Sequence, residues 1–241
     1  MKKKIHIPAL VLVLLAGACS REAEIPAAEP VTYATFYNGS PDFYEIPNYV
    51  SLNNDSTLML SYNGSAGGSV GALNYAVYQM LRPGTYRVSF SDAGDYKDKL
   101  TDNLVNMQPG KHQTVFLADS LGYFEAIASE DDTPRDPAMA QVRLIHLSPD
   151  ARPVSMMIDL TAVPGLDSVK FKQITPFAKV PPDPNPGFRI RYNDNGMEKT
   201  LVRKSFALLP GRSYTFILRG YVRNGSTNPN KGINLSALIT Q

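Results

Sequence analysis

The sequence lacks tryptophan and has one cysteine and three histidines in 241 residues. Because Cys19 is the single cysteine, no disulfide can form within the chain, and stability has to come from the core alone. Beyond residue 18 only His112 and His146 remain as imidazole bases, and no His-Glu-x-x-His zinc helix occurs. Few groups are therefore left for catalysis, and the lack of tryptophan weakens a dedicated sugar-stacking platform.

Long apolar runs are also missing, apart from a short one at the N-terminus. Three lysines at residues 2–4 precede an apolar run at residues 9–15, and small residues then lead to Cys19. This order is typical of an export signal, and the run is shorter than the roughly 20 residues of a transmembrane helix. The stretch Leu15-Ala16-Gly17-Ala18-Cys19 resembles a bacterial lipobox with alanine in place of the usual leucine. We expect removal of residues 1–18 as a signal peptide and acylation of Cys19 with fatty acids such as palmitate.

The acyl chains would anchor the protein to a membrane, since two or more chains on one residue bind stably where a single chain does not. Ser20, rather than aspartate, follows the cysteine, which resembles lipoproteins sorted to the outer membrane of Gram-negative bacteria. Residues 19–31 would form the tether. Periplasmic and surface exposure both stay open.

Charge is nearly balanced in total and unevenly divided along the chain. The whole sequence has a formal net charge of +2, and without residues 1–18 it has 21 basic and 22 acidic residues. Such a balance argues against nucleic acid as a partner. Residues 19–136 contain 7 basic and 16 acidic residues, whereas residues 137–241 contain 14 and 6. Either the two parts attract each other, or the basic part faces an anionic partner, or both are solubilising surfaces.

Three patterns recur in the same order, at offsets of 108, 103 and 101 residues. Each copy has a strand pattern before Ser-Pro-Asp and two Pro-Gly turns, each followed by a further strand pattern. The recurring elements are Ser40-Pro41-Asp42 with Ser148-Pro149-Asp150, Pro83-Gly84 with Pro186-Gly187, and Pro109-Gly110 with Pro210-Gly211. Chance recurrence of Pro-Gly turns would not reproduce the strand patterns as well, so the chain contains two homologous modules.

Alternating polar and apolar residues indicate strands with one buried and one wet face, as at residues 85–90, 169–172 and 188–192. Long helical patterns are absent. The sequence therefore predicts an all-β fold of two tandem antiparallel β-sandwich modules of immunoglobulin-like type. We expect the first module at residues 32–128, an acidic linker at 129–137 and the second module at 138–241.

The second copy contains the run Ala-Gln-Val-Arg-Leu-Ile-His-Leu-Ser-Pro-Asp-Ala at residues 140–151, followed by Pro153-Val154 and the two Pro-Gly turns. This pattern resembles a tandem bacterial surface module known as domain of unknown function 4397. The similarity covers essentially the whole mature chain, although the first copy has Thr35-Phe36-Tyr37-Asn38 in place of Arg-x-x-His. The resemblance implies a β-sandwich lipoprotein of the cell envelope and implies no activity, cofactor or catalytic residue.

Two groups of side chains are candidates for catalysis or metal binding. His146 lies close to Ser148 and Asp150, but neighbouring positions on one strand and turn do not converge as a Ser-His-Asp triad does. We expect His146 to be structural and Asp150 to close an Asx-type turn. Glu130, Asp131 and Asp132 offer oxygen ligands to calcium, although an acidic run in a linker is usually solvated.

The sequence Asn193-Asp194-Asn195-Gly196 resembles part of a calcium loop and is better explained as a hairpin turn. No metal ion or other cofactor is therefore expected. Ten of the thirteen tyrosines lie at or before Tyr123; they either fill the first core or line a binding face.

Basic residues on two of the predicted strands suggest a binding face. If the apolar residues are buried, Lys170, Lys172, Arg189 and Arg191 are presented together to solvent. Such a face suits carboxylates or phosphates, because arginine can bind them bidentately.

Together these features predict a non-enzymatic lipoprotein of the Gram-negative outer membrane that acts in binding or adhesion or as a structural module. Besides the membrane itself, the expected partners are an anionic glycan, lipopolysaccharide or another envelope protein. An accessory glycan-binding subunit of an uptake system is the alternative, and a hydrolase is the third possibility.

Overall fold

The computed structural model describes residues 29–43, 48–54, 56–61, 63–65, 72–91, 99–132, 136–223 and 228–240. The predicted signal peptide, Cys19 and most of the predicted tether lie outside these residues. The described part contains seventeen β-strands and two short 3-10 turns, and no α-helix occurs in it. The all-β class predicted from the sequence is confirmed.

The strands form four sheets, two in each half of the chain. The first outer sheet has the order β3-β2-β6-β7 and consists of β2 (Asn48–Leu52), β3 (Ser56–Leu60), β6 (Gly84–Ser91) and β7 (Lys99–Met107). The first inner sheet has the order β5-β1-β8-β9 and consists of β1 (Thr32–Asn38), β5 (Gln79–Leu81), β8 (His112–Ser120) and β9 (Tyr123–Glu130).

The second half repeats this arrangement. The second inner sheet has the order β13-β10-β16-β17-β4 and consists of β4 (Leu73–Tyr75), β10 (Ala140–Leu147), β13 (Ala178–Val180), β16 (Ser213–Arg219) and β17 (Asn234–Ile239). The second outer sheet has the order β12-β11-β14-β15 and consists of β11 (Val154–Ile158), β12 (Thr161–Ala162), β14 (Gly187–Asp194) and β15 (Met197–Ser205).

The repeat seen in the sequence is present in the strand pairing. Thr35 of β1 pairs with Thr114 of β8, and Arg143 of β10 pairs with Thr215 of β16. These pairs are related by the same offsets that relate the sequence patterns, so the two halves share both topology and register. One difference is β4, which comes from the first half and extends the second inner sheet by pairing with β17.

Antiparallel pairing predominates, as predicted, but three pairs are parallel: β1 with β8, β10 with β16, and β4 with β17. A parallel pair needs a long crossover connection. In each module the chain leaves the inner sheet, builds strands of the outer sheet and then returns beside its first strand. The alternation within single strands contains no information about this return.

The four sheets stack as layers with three apolar cores. One core lies between the first outer and inner sheets and includes Phe36, Phe90 and Leu117. Another lies between the second inner and outer sheets and includes Phe188 and Phe216. The third lies between the two inner sheets, where its fully buried members are Tyr37, Phe116, Ala118, Ile145, Leu147, Ile217 and Leu238.

The central strands of the inner sheets are therefore buried on both faces, which corrects the expectation of one core face and one wet face per strand. Every residue of β10 and of β16 is buried. The outer sheets keep the predicted alternation, as in β14, where Phe188 and Ile190 are buried and Arg189 and Arg191 are partly exposed. The modules are docked through their inner sheets.

Residues 129–137, expected as a solvated acidic linker, begin inside β9, which runs to Glu130. Asp131 is completely buried and forms an ion pair with Arg143, whose side chain is only 3% exposed. The expectation of solvation is wrong for Asp131 because its carboxylate serves the contact between the inner sheets.

Candidate functional sites

Arg189 and Arg191 lie on the solvent side of β14, as the alternation predicted. The Arg191 guanidinium forms an ion pair with Glu198 at 2.8 Å and donates a hydrogen bond to Met157 Sδ at 3.3 Å. Arg189 is directly opposite Arg203 of β15 in the strand register. Neither Arg189 nor Arg203 forms an ion pair with any described residue. Arg203 was missed because its position opposite Arg189 depends on the hairpin register and on a β-bulge after Ile190.

Lys172 does not join this arginine pair, which corrects the predicted four-residue face. Lys170 is exposed and directly follows Val169, which forms a bridge with Val154 of β11 in the same outer sheet. Residues 170–173 form a turn in which the Gln173 N–H donates to the Lys170 carbonyl at 2.9 Å. Lys172 has a positive φ of 67° there, which is the left-handed region and not the extended conformation of a regular strand. Its ammonium lies 2.5 Å from Glu125 of the first module. Four alternating residues were too short a pattern to distinguish a strand from a turn.

His146 has a structural role, since both of its ring nitrogens contact the backbone. Nδ1 accepts from the Ser148 N–H at 3.3 Å, which leaves the proton on Nε2 for the Arg152 carbonyl at 3.3 Å. Burial lowers the pKa of His146. The Ser148 hydroxyl donates to the Gly220 carbonyl at 2.5 Å, so the histidine and serine do not form a nucleophile–base pair.

Asp150 also serves the backbone, although not through the Asx turn predicted for it. Its carboxylate accepts from the N–H groups of Val222 and Arg223 at 2.7 and 2.8 Å. These groups follow β16, so Asp150 fastens the end of that strand to the turn after β10. The expected local turn is thus replaced by a contact between residues 72 positions apart.

In the first copy, the equivalent turn after β1 is held by different residues. Asn38 occupies the position of His146, and its Oδ1 accepts from the Ser40 N–H at 3.0 Å. Asn38 Nδ2 donates to the Phe43 carbonyl at 3.1 Å, as the imidazole does to Arg152. Ser40 donates to the buried carboxylate of Asp119. An amide therefore replaces the imidazole, which supports a structural role for the histidine of the Arg-x-x-His pattern.

The groups considered for calcium are occupied by protein partners. Glu130 pairs with Lys111 at 2.6 Å, and Asp132 lies 3.0 Å from His112 Nδ1. Asp194 pairs with Arg152 at 3.0 Å and also with Lys199. Within the described ranges no group of three or more potential ligands is placed to hold a metal ion.

The turn between β14 and β15 has positive φ values of 54° at Asn195 and 90° at Gly196. The predicted hairpin turn at residues 193–196 is confirmed by this geometry.

The nucleophile-elbow pattern of hydrolases, Gly-x-Ser-x-Gly, occurs once in the sequence, at residues 67–71. These residues lie outside the described part. An elbow serine is followed by a helix, whereas the next described element here is strand β4, beginning at Leu73.

Oppositely charged residues meet across the boundary between the halves. The ion pairs Asp131–Arg143, Glu125–Lys172 and Asp42–Lys231 each combine an acid of the first half with a base of the second. The hydroxyl of Tyr221 also donates to Asp42 at 2.7 Å. Of the explanations considered for the charge division, attraction between the modules therefore has direct contacts in its support.

A polar network surrounds the central buried pair. Besides Arg143, the carboxylate of Asp131 accepts from Thr114 Oγ1 at 2.6 Å and from the Tyr78 hydroxyl at 2.8 Å. Arg143 also donates to Thr215 Oγ1 at 2.9 Å and lies over the ring of Phe177. Burial raises the pKa of Asp131, and these donors oppose the shift. The signature arginine of the second copy is thus a docking residue.

Fold and contacts together define a protein of two all-β modules that dock through inner sheets and present outer sheets to solvent. Residues 32–157 and 140–230 both match the model of a domain of unknown function, DUF4397. The chain belongs to this family, and the two overlapping regions agree with a tandem module.

Other comparisons are distant. A leucine-rich repeat protein from Bacteroides thetaiotaomicron is 14% identical over 80% of this chain and 26% of its own, with a TM-score of 0.23. A candidate cell adhesion protein from Bacteroides fragilis is 12% identical over 81% of this chain and 83% of its own, with a TM-score of 0.24. No curated protein matches. In the described ranges, no helix is long and apolar enough to cross a membrane.

Proposed function

We propose that this protein is a non-enzymatic lipoprotein of the Gram-negative outer membrane that binds an anionic glycan or lipopolysaccharide. The lipid anchor is assigned to Cys19, and binding is assigned to the second outer sheet. In this proposal the docked modules act as one body that holds the binding sheet away from the tether.

The pairing of Arg189 with Arg203 is the observation that carries the proposal. Like charges directly opposite each other on neighbouring strands are destabilising, and no described acid neutralises this pair. By contrast, Arg191 is paired with Glu198, and Arg87 on the first outer sheet is paired with Asp102 at 2.8 Å. An external carboxylate or phosphate would relieve the repulsion, and two guanidinium groups can bind it bidentately.

The contacts of the two histidines favour binding over catalysis. His146 is buried, and both of its ring nitrogens contact backbone groups. His112 Nδ1 lies 3.0 Å from Asp132, and its ring stacks on Tyr33 and meets Tyr78 edge-on. Each imidazole thus has a structural explanation. Arg189 and Arg203 have no such explanation among the described residues.

The test measures binding of lipopolysaccharide to protein that begins at Ser20 and therefore lacks the anchor. The double variant Arg189→Gln/Arg203→Gln should bind about tenfold or more weakly, since two charge-assisted contacts are lost. Arg87→Gln/Lys99→Gln is the matched control, because it also removes two cations, here from the other outer sheet. Binding should also weaken as salt rises from about 0.05 to 0.5 M.

An equal loss in the Arg87/Lys99 control would show that only total charge matters. Absence of binding by the unmodified protein at low salt would contradict the proposed function.

A further inference from the structure

A cleft at the junction of the modules has a different composition from the arginine pair. Its volume is about 250 Å³, and its walls include Tyr75, Tyr78 and His112 from the first half and Arg212, Ile239 and Thr240 from the second. Neither module forms this cleft alone. It exists because β4 of the first half pairs with β17 of the second, which places Tyr75 beside Ile239.

The aromatic wall is fixed before any ligand arrives. The rings of His112 and Tyr33 stack at 4.5 Å, and Tyr78 meets His112 edge-on at 4.9 Å. Asp132 contacts the imidazole at Nδ1, and Asp131 accepts from the Tyr78 hydroxyl. Rings held in this way lose little conformational entropy on binding.

Two groups of the cleft are free to contact a ligand. Tyr75 is 57% exposed, so its ring offers an apolar face at the mouth. His112 Nε2 has no hydrogen-bond partner among the described residues, since only Nδ1 contacts Asp132. A ring-shaped ligand with hydroxyl groups would meet both an aromatic surface and a hydrogen-bonding nitrogen there.

Arg212 supplies the charge. It follows the Pro-Gly turn before β16, is exposed, and forms no ion pair with any described residue. The corresponding turn of the first copy carries Lys111, which is neutralised by Glu130 at 2.6 Å. Of these two equivalent turn residues, only Arg212 lines the cleft, and it is the one without an ion pair among the described residues.

We propose that this cleft binds one carboxylated sugar residue, such as a uronic acid, within a longer glycan. The carboxylate is held by Arg212, and the sugar ring lies against Tyr75. A volume of about 250 Å³ is below the roughly 300–1,000 Å³ of pockets that enclose drug-sized ligands, so a single ring fits and the rest of the glycan stays outside. The inference goes beyond the proposed arginine pair, because it assigns a second site with its own ligand class.

The experiment titrates anchor-free protein, beginning at Ser20, with a trimer of galacturonic acid and with the neutral galactose trimer, by NMR and calorimetry. The acidic trimer should bind at least tenfold more tightly than the neutral one. Arg212→Gln should remove that preference, and Arg212→Lys should retain part of it because lysine keeps the charge without the bidentate geometry. Tyr75→Ala should weaken binding of both trimers.

Arg87→Gln is the control for lost charge. It should change binding of the acidic trimer by less than about twofold, because Arg87 lies on the first outer sheet, away from both proposed sites. Arg203→Gln separates the two sites, since loss of trimer binding in that variant would place the ligand on the second outer sheet. Unfolding curves establish that each variant is folded, which is expected because Tyr75 and Arg212 are exposed.

Three results would overturn the cleft proposal: no binding of the acidic trimer at millimolar concentration, unchanged binding in Arg212→Gln, or loss of binding in Arg203→Gln alone. The last result would assign the ligand to the outer sheet and leave the proposed function standing. Trimer binding that persists while lipopolysaccharide fails to bind would support the cleft and contradict the arginine pair as the receptor face.

Discussion

Replacing Ile217 by alanine tests whether the two modules are docked. Ile217 lies in the middle of β16, is fully buried, and belongs to the core between the inner sheets. Its neighbours in that core include Tyr37 from the first module and Ile145 from the second. The side chain is on the face of β16 that an isolated sandwich would expose to water.

The two arrangements predict different energies. If Ile217 is buried between modules, its truncation removes apolar burial and leaves a cavity, which costs about 2–5 kcal/mol. If the modules were independent, the same change would be a surface substitution worth within about 0.5 kcal/mol. For a protein of this size, the docked arrangement corresponds to a fall in Tm of roughly 4–20 °C.

The assay is urea unfolding followed by circular dichroism and tyrosine fluorescence, with Leu104→Ala as the control. Leu104 is 69% exposed on β7 of the first outer sheet, so its truncation should change the unfolding free energy by no more than about 0.5 kcal/mol. A loss in Ile217→Ala as small as that in Leu104→Ala would refute the docked arrangement.

Three further predictions concern buried charge and anchoring. Arg143→Met should lower the unfolding free energy by about 3–5 kcal/mol, because Asp131 is left buried without its cation. The double variant Arg143→Met/Asp131→Leu should recover much of that loss in the same urea assay, and additive losses would contradict the pair. Burial raises the pKa of Asp119 to about 6 from an ordinary value of 3.8, so the folded state holds this proton more tightly and stability falls as the pH rises from about 4 to 6. Asp119→Asn should remove about 2–3 kcal/mol of that fall, and identical pH profiles for the two proteins would rule this out. Cys19→Ser should release the protein from the membrane fraction or leave its signal attached; normal processing with retained membrane binding would disprove the anchor.

Much of the fold could be predicted because local sequence patterns determine it. Pro-Gly turns and alternating residues gave the strands of the outer sheets, and the spaced repeats gave the tandem module. The Asn195-Gly196 turn was likewise predicted because both residues tolerate positive φ. In these elements, short-range sterics and a single buried face determine the structure.

Docking was harder to predict because it depends on contacts between distant residues. A signal was nevertheless present, since residues 214–218 read Tyr-Thr-Phe-Ile-Leu and residues 144–147 read Leu-Ile-His-Leu. Nearly continuous apolar runs are typical of strands buried on both faces. The same alternation was assumed for the inner strands as for the outer strands. One face of each inner strand was therefore predicted to be exposed to solvent.

The candidate sites also show that local patterns do not predict contacts between residues distant in the sequence. Arg189 and Arg191 were placed correctly on one face because both lie within one strand. Arg203 was missed because its position depends on a bulged hairpin register, and Lys172 was misplaced because its backbone turns at a positive φ. The cleft beside Arg212 has no local signature at all, because strand β4 reaches it from the other module.

The difference between the two copies of the family signature follows from docking. Thr35 and Arg143 occupy equivalent positions, and both point into the layer between the inner sheets, in register with Thr114 and Thr215. Arginine in both copies would place two cations in one buried layer, where like charges are strongly unfavourable. One arginine, neutralised by Asp131 of the opposite module, avoids that repulsion. The departure of the first copy from the Arg-x-x-His pattern is therefore an expected consequence of packing two homologous modules face to face.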